Sequence, residues 1–271
     1  MNVHPLNVPA NTGKLILIKA GGSILQDSSA ISTLCGDLKT LLANGYQVAL
    51  VHGGSKAINE ALNIYGIPSE FINGLRVTSQ AAMKIIEMVL CGQVNQMLVR
   101  ALNQFGIKAM GLSGAENQLL HCDYLDEKFG FVGKIKQVNS TDVEQLLANN
   151  VLPVIATVGV DDKGQAVNIN GDIAACHLAT ALAVDELVYL TDQEGIYNQH
   201  GALLSKLSAN QLQLLIKKAI VSNGMLVKVN AILNALEQDL DQIRILNGRQ
   251  HQILVETLLH GKNRGTMCLK N

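Results

Sequence analysis

The residues of this 271-residue chain best suited to chemistry lie where apolar runs end. Leu15-Ile16-Leu17-Ile18 leads into Lys19-Ala20-Gly21-Gly22-Ser23, and Gln47-Val48-Ala49-Leu50-Val51 leads into His52-Gly53-Gly54-Ser55. Each run is too short for a helix and reads as a buried parallel strand. A glycine pair at a strand's carboxyl end permits a tight turn and presents bare N–H groups. In an open α/β sheet that end is where ligands bind. One Gly-Gly pair is explained equally well as a plain turn. Two pairs, one preceded by Lys19, favour an anion, with phosphate foremost. Neither pair extends to the Walker A or dinucleotide spacing.

Further candidates come with structural alternatives. Lys19 could be a strand-edge lysine reaching for water. Lys228 sits inside Met225-Leu226-Val227-Lys228-Val229, whose apolar neighbours leave little polar face to account for it. Asp172 closes Asn168-Ile169-Asn170-Gly171-Asp172 and could serve as N-cap of a helix starting at Ile173. Arg76, after Asn73-Gly74, is either a surface loop charge or a fork for a carboxylate. His52 has no Ser or Cys nucleophile at partner spacing and reads as a structural hydrogen-bonding residue. The histidines show no metal-binding spacing.

The elements that must position these residues alternate between strand and helix. Asp27 or Ser28 caps a helix ended by Asn44-Gly45, and Ser55 to Tyr65 forms the next. A long helical pattern runs from Ser79 to about Phe105, more than one sheet face covers, so part of it is expected to meet a second subunit. Leu119 to Tyr124 and Phe131 to Val138 read as an antiparallel flap, and Val151 to Val158 as one buried strand. The expectation is a three-layer α/β/α sandwich around a mainly parallel sheet, in two lobes. Residues 1–13 form an arm, 14–160 the N-terminal lobe and 161–271 the C-terminal lobe.

Composition excludes several classes. A formal net charge of −1 provides no basic footprint, and four Phe and five Tyr give few stacking platforms, so nucleic acid is not an expected partner. Residues 1–12 lack a secretory pattern, and no apolar run approaches the length of a membrane span. Five dispersed cysteines without ligand or redox spacing suggest inert thiols in a reducing, cytoplasmic setting.

These stretches, in order, resemble the amino acid kinase family, together with Gly130-Phe131-Val132-Gly133, Leu190-Thr191-Asp192-Gln193-Glu194-Gly195 and Gly224 to Asn230. Asn73-Gly74-Leu75-Arg76-Val77-Thr78 is similar to the branch that phosphorylates the γ-carboxylate of N-acetyl-L-glutamate. The resemblance implies that the N-terminal lobe holds the acetylated amino acid and the C-terminal lobe holds ATP. It places Lys19 and Lys228 on the transferring phosphoryl group and gives Asp172 the task of holding both lysines. Arg76 and Asn168 would grip the substrate, while Gly21, Gly22, Gly53 and Gly54 would lend amides to phosphate and substrate. Mg²⁺ would arrive with the nucleotide.

Arginine-inhibited members carry an extra N-terminal helix that joins dimers into a hexamer. The short arm with Pro5 and Pro9 does not resemble one, so an arginine-insensitive homodimer is expected. Ser55 stands where the family pattern has a third glycine. The alternatives are a kinase of a neighbouring substrate such as N-acetyl-aminoadipate, or a non-catalytic sensor of the same fold.

Overall fold

The computed structural model describes residues 13–238 and 240–270. Apart from Gly13, the N-terminal arm and its expected role in assembly lie outside the described residues.

The chain opens with β1 (Leu15–Ala20), α1 (Ser28–Ala43), β2 (Gln47–His52) and α2 (Ser55–Ile64). A hairpin of β3 (Glu70–Ile72) and β4 (Leu75–Val77) precedes the long helix. That helix comprises α3 (Gln80–Glu87), a π-helical stretch Met88–Asn95 and α4 (Gln96–Gln104). Then come β5 (Ala109–Ser113), β6 (Leu120–Tyr124), β7 (Gly133–Val138) and α5 (Thr141–Ala148). They are followed by β8 (Leu152–Ala156), β9 (Val158–Val160), β10 (Ala166–Asn168) and α6 (Gly171–Ala181). Next are β11 (Glu186–Thr191), the small hairpin β12 (Ile196–Tyr197) and β13 (Leu203–Leu204), and β14 (Lys206–Ser208). The chain ends with α7 (Ala209–Lys217), α8 (Asn223–Glu237), β15 (Gln242–Asn247), a π-helical turn Val255–Leu259 and β16 (Thr266–Leu269).

Eight strands form the main sheet in the order β14-β16-β15-β11-β1-β2-β8-β5. Every neighbouring pair is parallel except β15 with β16. The two-residue period of a strand assigns its side chains to opposite faces. Ile16, Ile18 and Ala20 pack with α1, α2 and the long helix, while Leu17 packs with α5, α6 and α8. The result is the expected three-layer sandwich. Neighbouring β1 and β11 mark where the strand order reverses, the place where such sheets open a crevice at their carboxyl ends.

Local signals explain several boundaries. The Asp27 carboxylate accepts hydrogen bonds from the Ser29 and Ala30 amides, and Gly45 ends α1 at φ 81°. The 151–158 run is broken, contrary to the single expected strand. β8 belongs to the main sheet, while β9 passes into a second sheet ordered β10-β9-β6-β7. A Cβ on Gly159 would lie 2.6 Å from Cys122 Sγ on β6, so the crossing requires a close backbone approach. Hydrophobicity is continuous across the break and could not reveal it. The expected flap is therefore one half of a four-stranded sheet.

The long helix also amends the sequence reading. Gln80–Gln104 is apolar and long enough, by length and composition, to cross a membrane. Its residues Met83, Ile86, Leu90, Val94, Leu98 and Leu102 are instead buried in the core beside α1 and α2.

Candidate active site

Lys19 follows from the strand period: it shares the face of Leu17 and points toward α6. Its side chain crosses the helix start where residue 171 is glycine. A Cβ there would lie 3.1 Å from Lys19 Cε and 3.9 Å from the Gly53 Cα. Asp172 lies one residue further, in the first turn of α6. It is not the cap. Asn170 is, accepting from the Asp172 and Ile173 amides through its Oδ1, which leaves the Asp172 carboxylate available. Lys228 reaches the same place from α8.

Both lysine ammoniums meet one oxygen, Asp172 Oδ1, at 2.8 Å from Lys19 Nζ and 2.9 Å from Lys228 Nζ. The three side chains are 10–12% exposed, so the cluster is shielded but reachable. Burial by itself would raise the Asp172 pKa. The charges of Lys19 and then Lys228 overcome it and hold the carboxyl well below the usual range. Burial also lowers the Lys228 pKa, partly opposed by Asp172. The cluster carries one net positive charge when both lysines are protonated. Such a site favours an arriving anion.

Tyr189, on β11, supports this cluster and was not singled out from sequence. Lys228 Nζ lies 4.3 Å from its ring centroid, and its hydroxyl donates to the Asp172 carbonyl at 2.9 Å. Its Oη is also 2.9 Å from Cys176 Sγ, which in turn donates to the Ala231 carbonyl. These contacts tie β11, α6 and α8 together beneath the reactive charges. A tyrosine in an apolar strand reads as core, and nothing in the pattern distinguishes this one.

The two glycine turns meet each other. A Cβ on Gly22 would lie 3.2 Å from the Ser55 amide nitrogen, with Gly54 atoms next nearest. The Gly21 amide is held by the Leu190 carbonyl at 3.0 Å. Gly53 and Gly54 line a cleft together with Arg76, Asn168, Asn170 and Gly171. Gly54 caps α2 and Asn170 caps α6, so two helix starts border the same cleft. Their first-turn amides and dipoles favour negative charge.

Arg76 is buried, and burial lowers its pKa to about 10. It donates to the Ser69 hydroxyl and, at 3.4 Å, to the Ser55 carbonyl, and it lies over the Phe71 ring. A carboxylate among the described residues is not one of these contacts. The segment around it is secured by backbone bonds between Thr78 and both Phe129 and Phe131. The Asn168 amide nitrogen bonds to the Phe131 carbonyl, and its side chain donates to Thr78 Oγ1 at 3.2 Å. The flap loop thus joins Arg76 to Asn168, two residues far apart in sequence.

All the residues anticipated from sequence gather here, with one distinction. Gly53, Gly54, Arg76 and Asn168 line the cleft; Lys19 touches it through Gly171, while Gly21 and Gly22 brace the adjoining turn. The sequence reading missed Asn170, Gly171 and Tyr189. Asn170 was detectable in principle, because Asn two residues before Asp172 is itself a good cap.

The amino acid kinase family model matches residues 14–247. Acetylglutamate kinase of Campylobacter hominis is 38% identical over 245 residues, spanning 90% of this chain and 87% of that protein. The same enzyme of Aquifex aeolicus is 37% identical over 262 residues, with 90% and 88% covered. A solved Streptococcus mutans structure superposes with a TM-score of 0.80 at 29% identity, covering 94% of this chain and 98% of the other. Paired lysines on one buried carboxylate, facing two strand-end glycine turns, agree with these matches, and the chain belongs to the amino acid kinase family.

Proposed function

We propose that the chain transfers the γ-phosphoryl group of ATP to the γ-carboxylate of N-acetyl-L-glutamate, a step of arginine biosynthesis. The products are an acyl phosphate and ADP. The observation that carries this reading is the Lys19–Asp172–Lys228 cluster set against the Gly53–Gly54 turn and the buried Arg76.

The acceptor carboxylate is ionised at neutral pH and needs no general base. Transfer then depends on positioning and on neutralising charge that develops on the phosphoryl oxygens. Lys19 from β1 and Lys228 from α8 supply positive charge beside Asp172, which holds them and takes no proton. Gly22, Gly53 and Gly54 offer amides to the phosphate and substrate, while Gly21, expected to do the same, spends its amide on the Leu190 carbonyl and shapes the turn. Arg76, with no carboxylate partner of its own among the described residues, receives the substrate's α-carboxylate. Asn168 steadies the substrate from the flap side.

Mg²⁺ bound with the nucleotide would neutralise phosphate charge. Asp172 is already taken by two ammonium groups, which suits a metal delivered by ATP rather than by a protein cage. Residues 14–160 would hold the amino acid and 161–271 the nucleotide. The chain would work as a homodimer, consistent with Met88 being 58% exposed on the long helix. Its five free thiols suit the cytoplasm.

A coupled ADP-release assay with N-acetyl-L-glutamate, N-acetyl-aminoadipate and glutamate tests the assignment. Preferred turnover of N-acetyl-L-glutamate is expected. Preference for the longer acid would redirect it, and binding without turnover would make the chain a sensor.

A further inference from the structure

The π-helical stretch of the long helix is aimed at the second glycine turn. The wider π-helical turn brings Asn95 to the face that Leu90 and Val94 share; an α-helix would keep Leu90 beside Val94 but rotate Asn95 away. Leu90 and Val94 close over Gly54: a Cβ there would lie 2.8 Å from Leu90 Cδ2 and 3.3 Å from Val94 Cγ2. Asn95 is 2% exposed, and of the two protons on its Nδ2 one goes to the Val154 carbonyl at 2.8 Å, while the other is shared between His52 Nε2 and the Leu112 carbonyl at 3.2 Å. The same Nδ2 lies 3.0 Å from His52 Nε2. Gly111 makes room for this side chain, since a Cβ there would fall 1.9 Å from Asn95 Oδ1.

His52 is fully buried at the end of β2. Its other ring nitrogen, Nδ1, lies 3.1 Å from the Gly53 carbonyl. Carbonyls only accept, and an amide Nδ2 only donates. The two contacts together therefore require a neutral ring with the proton on Nδ1 and a lone pair on Nε2. Burial, with the charge of Lys19 adding to it, lowers the pKa to about 4, which agrees with that state. Asn95 thus sets the tautomer, and the tautomer sets the bond to Gly53.

We infer that Asn95 and His52 are positioning residues, forming a rivet from the π-helical stretch that fixes the Gly53–Gly54 peptide, and with it the Gly54 N–H, in the orientation that faces the phosphate. This rests on the proposed role of that turn in phosphoryl transfer. The rivet meets β2 at its carboxyl end, β5 near its end and β8 at its middle, so it locates the turn relative to the sheet rather than to a loop. Misplacement by about 1 Å can cost ~10² in rate.

The test uses two partial mimics of histidine. His52→Asn places an amide donor near the Nδ1 position and keeps the Gly53 bond. His52→Gln places its amide near Nε2, keeps the link to Asn95 and loses the Gly53 bond. Crystal structures of both, and of Asn95→Ala, are compared with steady-state kinetics. The expected result is a displaced Gly53 carbonyl and a fall in kcat of ~10–10²-fold for His52→Gln and Asn95→Ala, with KM for MgATP little changed. His52→Asn should keep the carbonyl in place and most of the rate. An undisplaced Gly53 with normal kcat in folded His52→Gln overturns the inference, as does equal impairment of His52→Asn and His52→Gln. If the wild type does not phosphorylate N-acetyl-L-glutamate, the functional reading fails, while the Gly53 displacements still decide the rivet.

Discussion

The two glycine turns begin from the same sequence device and are supported in opposite ways. The first follows Lys19, whose ammonium belongs to a charged cluster, and its Gly21 amide is pinned to the neighbouring strand at Leu190. The second follows His52, a neutral residue, and is backed by Leu90, Val94 and Asn95 of the π-helical stretch. One turn comes with charge and the other with shape. The polar side chain that each strand end presents, Lys19 in one and His52 in the other, separates the two roles.

Removing charge should hurt most. Lys228→Ala is expected to lower kcat on the order of 10²–10³-fold, by analogy with loss of one oxyanion donor, while KM for N-acetyl-L-glutamate moves far less. Steady-state kinetics on the folded variant decide it; an undiminished kcat would take Lys228 out of the transfer step.

Arg76→Lys sharpens the contrast by acting on binding alone. Losing a forked hydrogen bond to a charged group costs roughly 1.5–3 kcal/mol, or about 10–100-fold in substrate KM. kcat should change little, and a normal KM would place the carboxylate site elsewhere.

The shape of the second turn can be attacked one glycine at a time. Gly54→Ala drives a methyl into Leu90 and Val94 and should cost ~1–3 kcal/mol of stability by overpacking. Gly53→Ala meets nothing within 4 Å and should leave denaturant midpoints unchanged. Equal midpoints for the two variants would contradict this packing.

The smallest effect is the pH dependence. Burial lowers the Lys228 pKa, so its charge is lost below the ordinary lysine value of 10.5 as pH rises. kcat should therefore decline on the alkaline side before pH 10.5. Asp172 behaves the other way: its pKa is depressed, so the stability it contributes is present above 3.8 and lost only as pH falls through its lower folded value. An acid limb near 4 should therefore not come from Asp172. A kcat–pH profile measured beside a stability–pH profile separates the two.

Much of this was legible in the chain itself. Strand length, glycine pairs and caps announced the alternating α/β order, because those signals are local and depend on neighbours within a turn or two. The apolar surroundings of Lys228 marked it as a residue without a structural excuse, and the resemblance assigned it a partner. Asp172 also reads as a cap in the sequence, yet the structure gives capping to Asn170. The break between β8 and β9 escaped because buried strands in different sheets read alike.

The sequence by itself determined which residue types stand at the ends of which strands, and hence that an anion would be met by lysine and amide donors. Only the tertiary structure decided that residues 19, 172 and 228 share one oxygen, that Tyr189 lies beneath them, and that a π-helical register delivers Asn95 to His52. The reason is that these contacts join elements brought together by packing of the two sheet faces. Their geometry depends on crossing and register between distant segments, to which no local propensity refers.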